Sequence, residues 1–473
     1  MKIAWTRLKG ACLLLLGMAT TGGGRSFAAD INTLSFATLA GSSSATTAGK
    51  TEASPFKDES TNTSVKALPF ESAMSTCSPS CTAGCACDDD NFVGAPGRFW
   101  FRGEYLHWWT NGAHLPPVVS TLIGPNRDTL ETVFGDREIR DGSHDGYRVD
   151  FGMWLDCTHC WGLEADYFDV TGRPDNYDSG FTNGIGADGN PFPIVRPYWG
   201  PNQIGTNGVQ VSGVGFPNVY VGRVTVETND YFQSAGMWFR RQLRASEWST
   251  NNCDTNWTDS CARTFRLDFL GGYRFTRLVD KVNIQHSEVD IEVADPNNGN
   301  IGIPGAVYSS VDSYRAGNSF NGGELGLNGV YTHGRWSLDV VGKAAIGVNS
   351  QYVKMCNQGV VDNRNNVPGD VTVQGLGPGN ATLQDFSRNR FSAIPELTLT
   401  GGYQITDHVK VTVGYDLLYW SGVVRAAGQI NVDPVTGLPY GTQVGIPSTA
   451  PAFTWNESHY FAQGLRLGGE LRY

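Results

Sequence analysis

From Arg98 onward the chain alternates apolar and polar positions with a period of two, the pattern of half-buried β-strands. Phe99, Phe101, Tyr105 and Trp109 alternate with Arg102 and Glu104, and Tyr147, Val149, Phe151, Met153 and Leu155 with Arg148, Asp150 and Gly152. Leu163, Ala165 and Tyr167 interleave with Glu164 and Asp166, and Phe265, Leu267, Phe269, Tyr273 and Phe275 with Arg266, Asp268, Gly272 and Arg274. Val221 to Leu243 is strand-like, with a phase that breaks near Asn229-Asp230. The later segments are cleaner. Leu325, Leu327 and Tyr331 alternate with Glu324, Gly326 and Asn328, and Trp336, Leu338, Val340, Ala344, Ile346 and Val348 with Asp339, Lys343 and Asn349. Leu397, Leu399, Tyr403 and Ile405 alternate with Glu396, Thr398 and Thr400, and Val409, Val411, Val413, Tyr415, Leu417 and Tyr419 with Lys410, Thr412 and Asp416. From Phe461 the odd positions run to Leu465, Leu467, Leu471 and Tyr473, opposite Arg466, Gly468, Glu470 and Arg472. These are ten segments, or twelve if the strand-like stretches Val282–Val293 and Ala306–Ser313 stand alone.

The links between segments are one-sided. Tight ones fall at Asp156–Trp161, His333–Arg335 and Thr406–His408, with a medium one at Arg244–Arg263. Long ones run over Thr110–Gly146, Thr171–Tyr220, Val279–Ser319, Ser350–Arg390 and Ser421–Ser458. Short and long links alternate along the chain, as in outer-membrane barrels with short periplasmic turns and long outward loops. The expected fold is therefore all-β: an antiparallel transmembrane barrel over residues 98–473, both chain ends periplasmic. The final spacing Arg466-x-Gly468-x-x-Leu471-x-Tyr473 resembles the C-terminal insertion signal of bacterial outer-membrane barrels, which implies outer-membrane lipid and the barrel-assembly machinery as partners. Trp108, Trp109, Tyr331, Trp336, Tyr403, Tyr419, Trp420 and Tyr473, at strand ends, are expected to form interfacial belts. A soluble β-sandwich would alternate too, but would not need such one-sided loops.

Composition agrees with this picture. Glycine is abundant (59 residues), aromatics make up 11%, and mean hydropathy is only −0.26. No run beyond the N-terminus approaches the length of a spanning helix, and a membrane protein without one must be a closed barrel. Residues 1–28 read as a signal peptide: Lys2, Arg7 and Lys9, then Ala11 to Met18, then Ser26-Phe27-Ala28. Losing those cations with Arg25 would take the net charge from −11 to −15, which argues against nucleic-acid binding. Residues 29–97 are rich in Ser, Thr, Ala and Gly, read as a disordered arm that ends in a cysteine cluster, Cys77 to Cys87.

Several pieces resemble the beta-barrel porin family, type seven, found chiefly in planctomycete genomes. The resembling residues are Phe99-Trp-Phe-Arg-Gly-Glu-Tyr-Leu-His-Trp-Trp109, Phe151-Gly-Met-Trp-Leu-Asp156, Trp161-Gly-Leu-Glu-Ala-Asp-Tyr-Phe168, Arg266-Leu-Asp-Phe-Leu-Gly-Gly-Tyr-Arg274 and the final strand. The resemblance implies an outer-membrane barrel and carries over no substrate or catalytic residue.

Candidate chemistry is sparse. No catalytic, cofactor-binding or metal-binding set emerges, and no cofactor is expected. Cys157 and Cys160, and Cys253 and Cys261, are candidate disulfides pinning turns. Zinc at the Cys77–Cys87 cluster is a weaker option, and Cys356 has no obvious partner. His144 beside Asp141 and Asp145 is a conceivable acid/base pair, more simply a solvated polar loop. Asp295 to Asn300 hints at calcium but reads equally as a turn. The lumen side carries Arg102, Arg148, Arg266, Arg274, Lys343, Lys410, Arg466 and Arg472 against Glu104, Asp150, Glu164, Asp166, Asp268, Glu324, Asp339, Glu396, Asp416 and Glu470. Near-balanced charge in a barrel this small predicts a narrow, salt-bridged interior rather than a wide pore. The functions expected are a porin-like or structural envelope protein, alternatively a surface binding or adhesion protein acting through its loops, and third an outer-membrane hydrolase.

Overall fold

The structure, a computed structural model, describes residues 97–124, 129–156, 158–201, 207–248, 263–291, 305–362, 371–374, 383–441 and 452–473. Ten strands form one ring: β1 (Phe99–Thr110), β2 (Ser143–Trp154), β3 (Trp161–Gly172), β4 (Tyr220–Trp248), β5 (Arg263–Asp290), β6 (Val307–His333), β7 (Trp336–Asp362), β8 (Leu383–Thr406), β9 (Val409–Val424) and β10 (Glu457–Arg472). Each pairs antiparallel with its neighbours in the chain, and β10 returns to β1, with Leu467 opposite Tyr105. The seam is locked where Phe99 and Tyr473 exchange backbone hydrogen bonds of 2.6 and 2.8 Å. Closure leaves no sheet edge to lipid, which is what lets a β-structure cross a bilayer. No helix among the described residues is long and apolar enough to do so.

The count is ten, not twelve, and two of the expected long loops are largely wall. The stretches Val282–Val293 and Ala306–Ser313 belong chiefly to the upper parts of β5 and β6, which pair continuously from Val289–Val307 down to Arg263–His333. Strands β7 and β8 likewise run on through most of the expected loop Ser350–Arg390. The first long loop ends at Ser143, and β4 extends past Arg244 to Trp248. A lipid crossing needs about 9–11 residues per strand. Strands of 24 to 29 residues in β4 to β8 therefore rise well above the bilayer on one side.

The physical reason the sequence concealed this is a swap of faces without a change of phase. In β4, Val224, Val226, Asp230, Phe232 and Trp238 all point inward and are buried. Below Asn229 the outer face is Tyr231, Met237 and Phe239; above it, Arg223, Thr225 and Glu227. Lipid demands apolar residues outside, whereas water allows polar ones outside and an apolar core within. The apparent phase break at Asn229-Asp230 is the level where the solvent changes.

Three of the turns at one rim, between β2 and β3, β6 and β7, and β8 and β9, are tight. Gly334 (φ 56°) supplies the left-handed residue that the His333–Trp336 hairpin requires. The aromatic belts are real but smaller than expected: Trp109, Tyr331, Trp336, Tyr403, Tyr419 and Tyr473 face outward, while Trp108 and Trp420 are buried inside. Adjacent strand residues point to opposite faces, so Trp108 and Trp109 cannot share a belt.

At the other rim, loops fold into the mouth. Val119–Ile123, Thr129–Phe134, Ile194–Pro201 and Asn207–Gly215 make a four-stranded sheet, and Ala113–Leu115 pairs with Arg137–Ile139. Leu115, Val119, Ile139, Ile194 and Ile430 from these loops pack with Val224, Ile284, Ala316 and Met355 of the tall wall.

Candidate functional site: the filled bore

Inward-facing residues stack in layers from the turn rim upward. The lowest layer is cationic and aromatic. Trp100 and Trp154 lie 5.1 Å apart, with Arg240 over both rings and Arg266 4.1 Å above Trp154. His159 in the first turn stacks on Trp154 at 5.2 Å, and its carbonyl accepts from Arg266 Nη2. Burial, and next the neighbouring Arg266 charge, push the His159 imidazole down to about 4. The turn is held by Asp156, whose carboxylate accepts from the Cys160 and Trp161 N–H groups.

All eighteen charged residues expected in the lumen face it, in three connected groups. Arg240 bridges Glu164 (2.7 Å) and Asp268 (3.8 Å), which also accepts from Arg266 at 2.8 Å. Glu470 gathers Arg102 (2.6 Å), Lys410 (3.2 Å) and Arg472 (2.5 Å), and Arg102 reaches Asp339 at 3.6 Å. The third group is centred on Arg148, which contacts Asp166 (2.7 Å), Glu396 (2.9 Å), Asp416 (3.7 Å) and Asp150 (3.8 Å). Glu396 also pairs with Arg274 and lies 3.9 Å from Lys343, while Arg274 meets Glu324 at 3.3 Å. Arg466 completes it, bridging Glu104 (2.5 Å) and Asp416 (2.9 Å). Several pairs join strands far apart in the ring, such as Arg148 of β2 to Glu396 of β8. A charge taken out of water costs several kcal/mol unless a partner meets it, so these groups hold one another in place.

Above the charges lies a plug. Leu106, Trp108, Phe168, Val170, Phe232, Leu278, Phe320, Ala345, Ile394, Leu418, Trp420 and Tyr460 come from nine of the ten strands, and none is more than 1% exposed. Phe232 of β4 touches Tyr460 of β10 at 4.8 Å between ring centres, with Phe168 at 5.2 Å and Trp420 at 6.4 Å. Residues lining an aqueous channel would be wetted; these are not. A further polar layer caps the plug. Arg425 donates to Asp280 at 2.7 Å, and Arg140 pairs with Asp230.

Arg240 and this cap were missed in the sequence, because β4, which holds Arg240 and Asp230, seemed to lose phase, and Arg140, Asp280 and Arg425 lie in stretches that read as loops. An alternating polar residue on the upper strands was the available signal. His144 sits in the cap rather than in a loop: its Nδ1 is 2.8 Å from the Gly142 carbonyl and its Nε2 3.4 Å from Asp230. Asp145 faces outward to Tyr105 and His107, so no His144–Asp145 pair forms, and the solvated loop preferred for His144 is instead a buried strand position.

The insertion-signal residues also have places in the fold. Arg466 is in the charge network. A Cβ on Gly468 would fall 2.2 Å from the Gly103 carbonyl oxygen. Leu471 and Tyr473 face outward, Tyr473 stacking on His408 at 5.3 Å. Cys160 is disulfide-bonded, and Cys356 is a free thiol on the outer face of β7. Cys157, Cys253, Cys261, the Cys77–Cys87 cluster and Asp295–Asn300 lie outside the described residues. No group of three or more His, Cys, Asp or Glu able to hold a metal occurs among the described residues.

No curated protein matches the chain. Among solved structures, the outer-membrane protease OmpT of Escherichia coli matches with a TM-score of 0.34 at 10% identity, covering 80% of this chain and 99% of that one. The Pseudomonas putida toluene transporter TodX matches at 0.21 and 8%, covering 80% and 91%. The Ralstonia pickettii toluene transporter TbuX matches at 0.17 and 10%, covering 80% and 90%. A family model described as "Putative beta barrel porin-7 (BBP7)" matches residues 100–473, all of the ring but its first residue. The chain belongs to that beta barrel porin family, and is a barrel protein of the outer membrane.

Proposed function

We propose that this protein is a structural, non-enzymatic component of the outer membrane with a sealed bore, carrying its loop rim as a platform at the cell surface. The observation that carries the reading is the Phe232–Tyr460 contact, made between walls nearly opposite one another and backed by a charge network beneath. In this reading residues 1–28 are a cleaved leader and the short turns lie in the periplasm. The final strand engages the barrel-assembly machinery. Planar-bilayer recording on the refolded protein tests it: no discrete conductance steps are expected. Steady, step-wise conductance would mean a porin and would refute the sealed bore.

A second reading, surface binding, is favoured by a crevice of about 580 Å³ at the loop rim, lined by Asn111, His114, Glu138, Arg425, Asn456 and His459 among others. Replacing His114, Glu138 and His459 with Ala should then abolish cell-surface attachment while leaving the barrel folded.

A further inference from the structure

On the tall wall, cross-strand register aligns outward residues in rows. Phe275, Asn321, Val348 and Phe391 form one row, with three large apolar side chains. Above it come Arg277, Ser319, Ser350 and Asn389, then Val279, Gly317, Tyr352 and Ser387, then Lys281, Arg315, Lys354 and Asp385. The top row sets three cations side by side on adjacent strands, and like charges directly opposite one another destabilise a sheet. Lys354 is answered by Asp385 at 2.8 Å. Arg277, Lys281 and Arg315 have no ion-pair partner among the described residues.

Between the cations and the apolar rows lies an open depression of about 430 Å³, lined by Ser319, Ser350, Tyr352, Ser387 and Asn389 among others. The Tyr352 ring at its edge lies across Gly317, where a Cβ would fall 2.2 Å from that ring. The Arg315 guanidinium stands 6.0 Å from that ring's centre. Directly below, Phe391 is 76% exposed and Val348 47%. Arg277 is two residues above Phe275, about 7 Å along the strand. Long cationic side chains two rows higher can bend back toward that level.

We propose that this face binds an anionic lipid of the leaflet at the loop rim. Its phosphate sits among Arg277, Lys281 and Arg315, its headgroup lies in the hydroxyl-lined depression, and its acyl chains run down Phe275, Val348 and Phe391. The apolar rows below the cations point to a lipid rather than to free phosphate. The inference needs only the barrel's place in the membrane and is independent of whether the bore conducts.

The test is native mass spectrometry of the refolded barrel in micelles, titrated separately with phosphatidylglycerol, phosphatidylcholine and inorganic phosphate. Phosphatidylglycerol should be retained at least ~10-fold more tightly than phosphatidylcholine, since each cation near the surface contributes to anionic-lipid attraction. Inorganic phosphate should not displace it. The variant R277Q/K281Q/R315Q should lose the preference while still shifting on an unboiled gel, and R277K/R315K should keep it. If the triple variant does not fold, Arg277→Gln alone should show a several-fold loss. A wild-type protein without the preference, a neutralised variant that retains it, or displacement by inorganic phosphate would each overturn the proposal.

Discussion

Replacing Phe232 with Ala removes the ring that joins β4 to the far wall. Phe232 is 1% exposed and contacts Trp108, Phe168, Trp420 and Tyr460. Deleting the ring forfeits about 2 kcal/mol of burial. It also leaves a void of roughly 100 Å³, which at ~24 cal/mol per Å³ costs about 2.4 kcal/mol more. The expected loss is therefore about 4 kcal/mol, within the usual range of about 3–5 for Phe→Ala. Urea unfolding in micelles, followed by the loss of the unboiled gel band, measures it. The ion-paired layers beneath Phe232 stay intact, so no conductance should appear. A loss under about 1 kcal/mol would refute the argument that the ring is packed across the bore. Conductance in this variant alone would mean the plug, and not the charge network, is the seal.

Other expectations follow from neighbouring features. Glu396→Ala leaves Arg148, Arg274 and Lys343 short of a counter-charge and should cost about 3–5 kcal/mol in the same assay, with a steep fall in refolding yield. Gly468→Val places a branched side chain against the Gly103 backbone at the closing seam, and should prevent the heat-modifiable form from appearing at all. His159 stays neutral in the fold down to about pH 4, whereas an unfolded histidine protonates near 6.5. The unfolded chain therefore takes up the extra proton between those values. Stability should fall as pH drops from about 6.5 toward 4, with no His159 contribution to the slope above that window. His159→Asn should flatten that part of the urea midpoint curve, and an unchanged slope would contradict the assignment.

The lipid-crossing part of this barrel was plain in the sequence because both of its solvents are constant there. Hydrocarbon outside and ion pairs inside produce strict alternation in β1, β2 and the lower halves of β5 to β8. Above the bilayer the outside becomes water and the inside becomes a core, so Val282 and Ile284 turn inward where Arg274 did, and the pattern dissolves into apparent loop. Which cation meets which carboxylate was not legible either. Arg148 and Glu396 are 248 residues apart and meet only because the ring closes. The aromatic plug was hidden for another reason: Trp108 and Trp420 look like belt residues until the phase of the strand is fixed by its neighbours.

The swap of faces in β4 to β8 has a mechanical consequence. Since the strands pass from lipid to water without a break in their ladders, the part above the membrane is not a domain hung on a hinge. It is the same wall, stiffened along its length by the ladders that join β4 to β8. A sideways load at the loop rim has no flexible joint in which to dissipate and acts on the embedded section as torque. That section can resist by tilting against the bilayer, or by shearing the Phe99–Tyr473 seam.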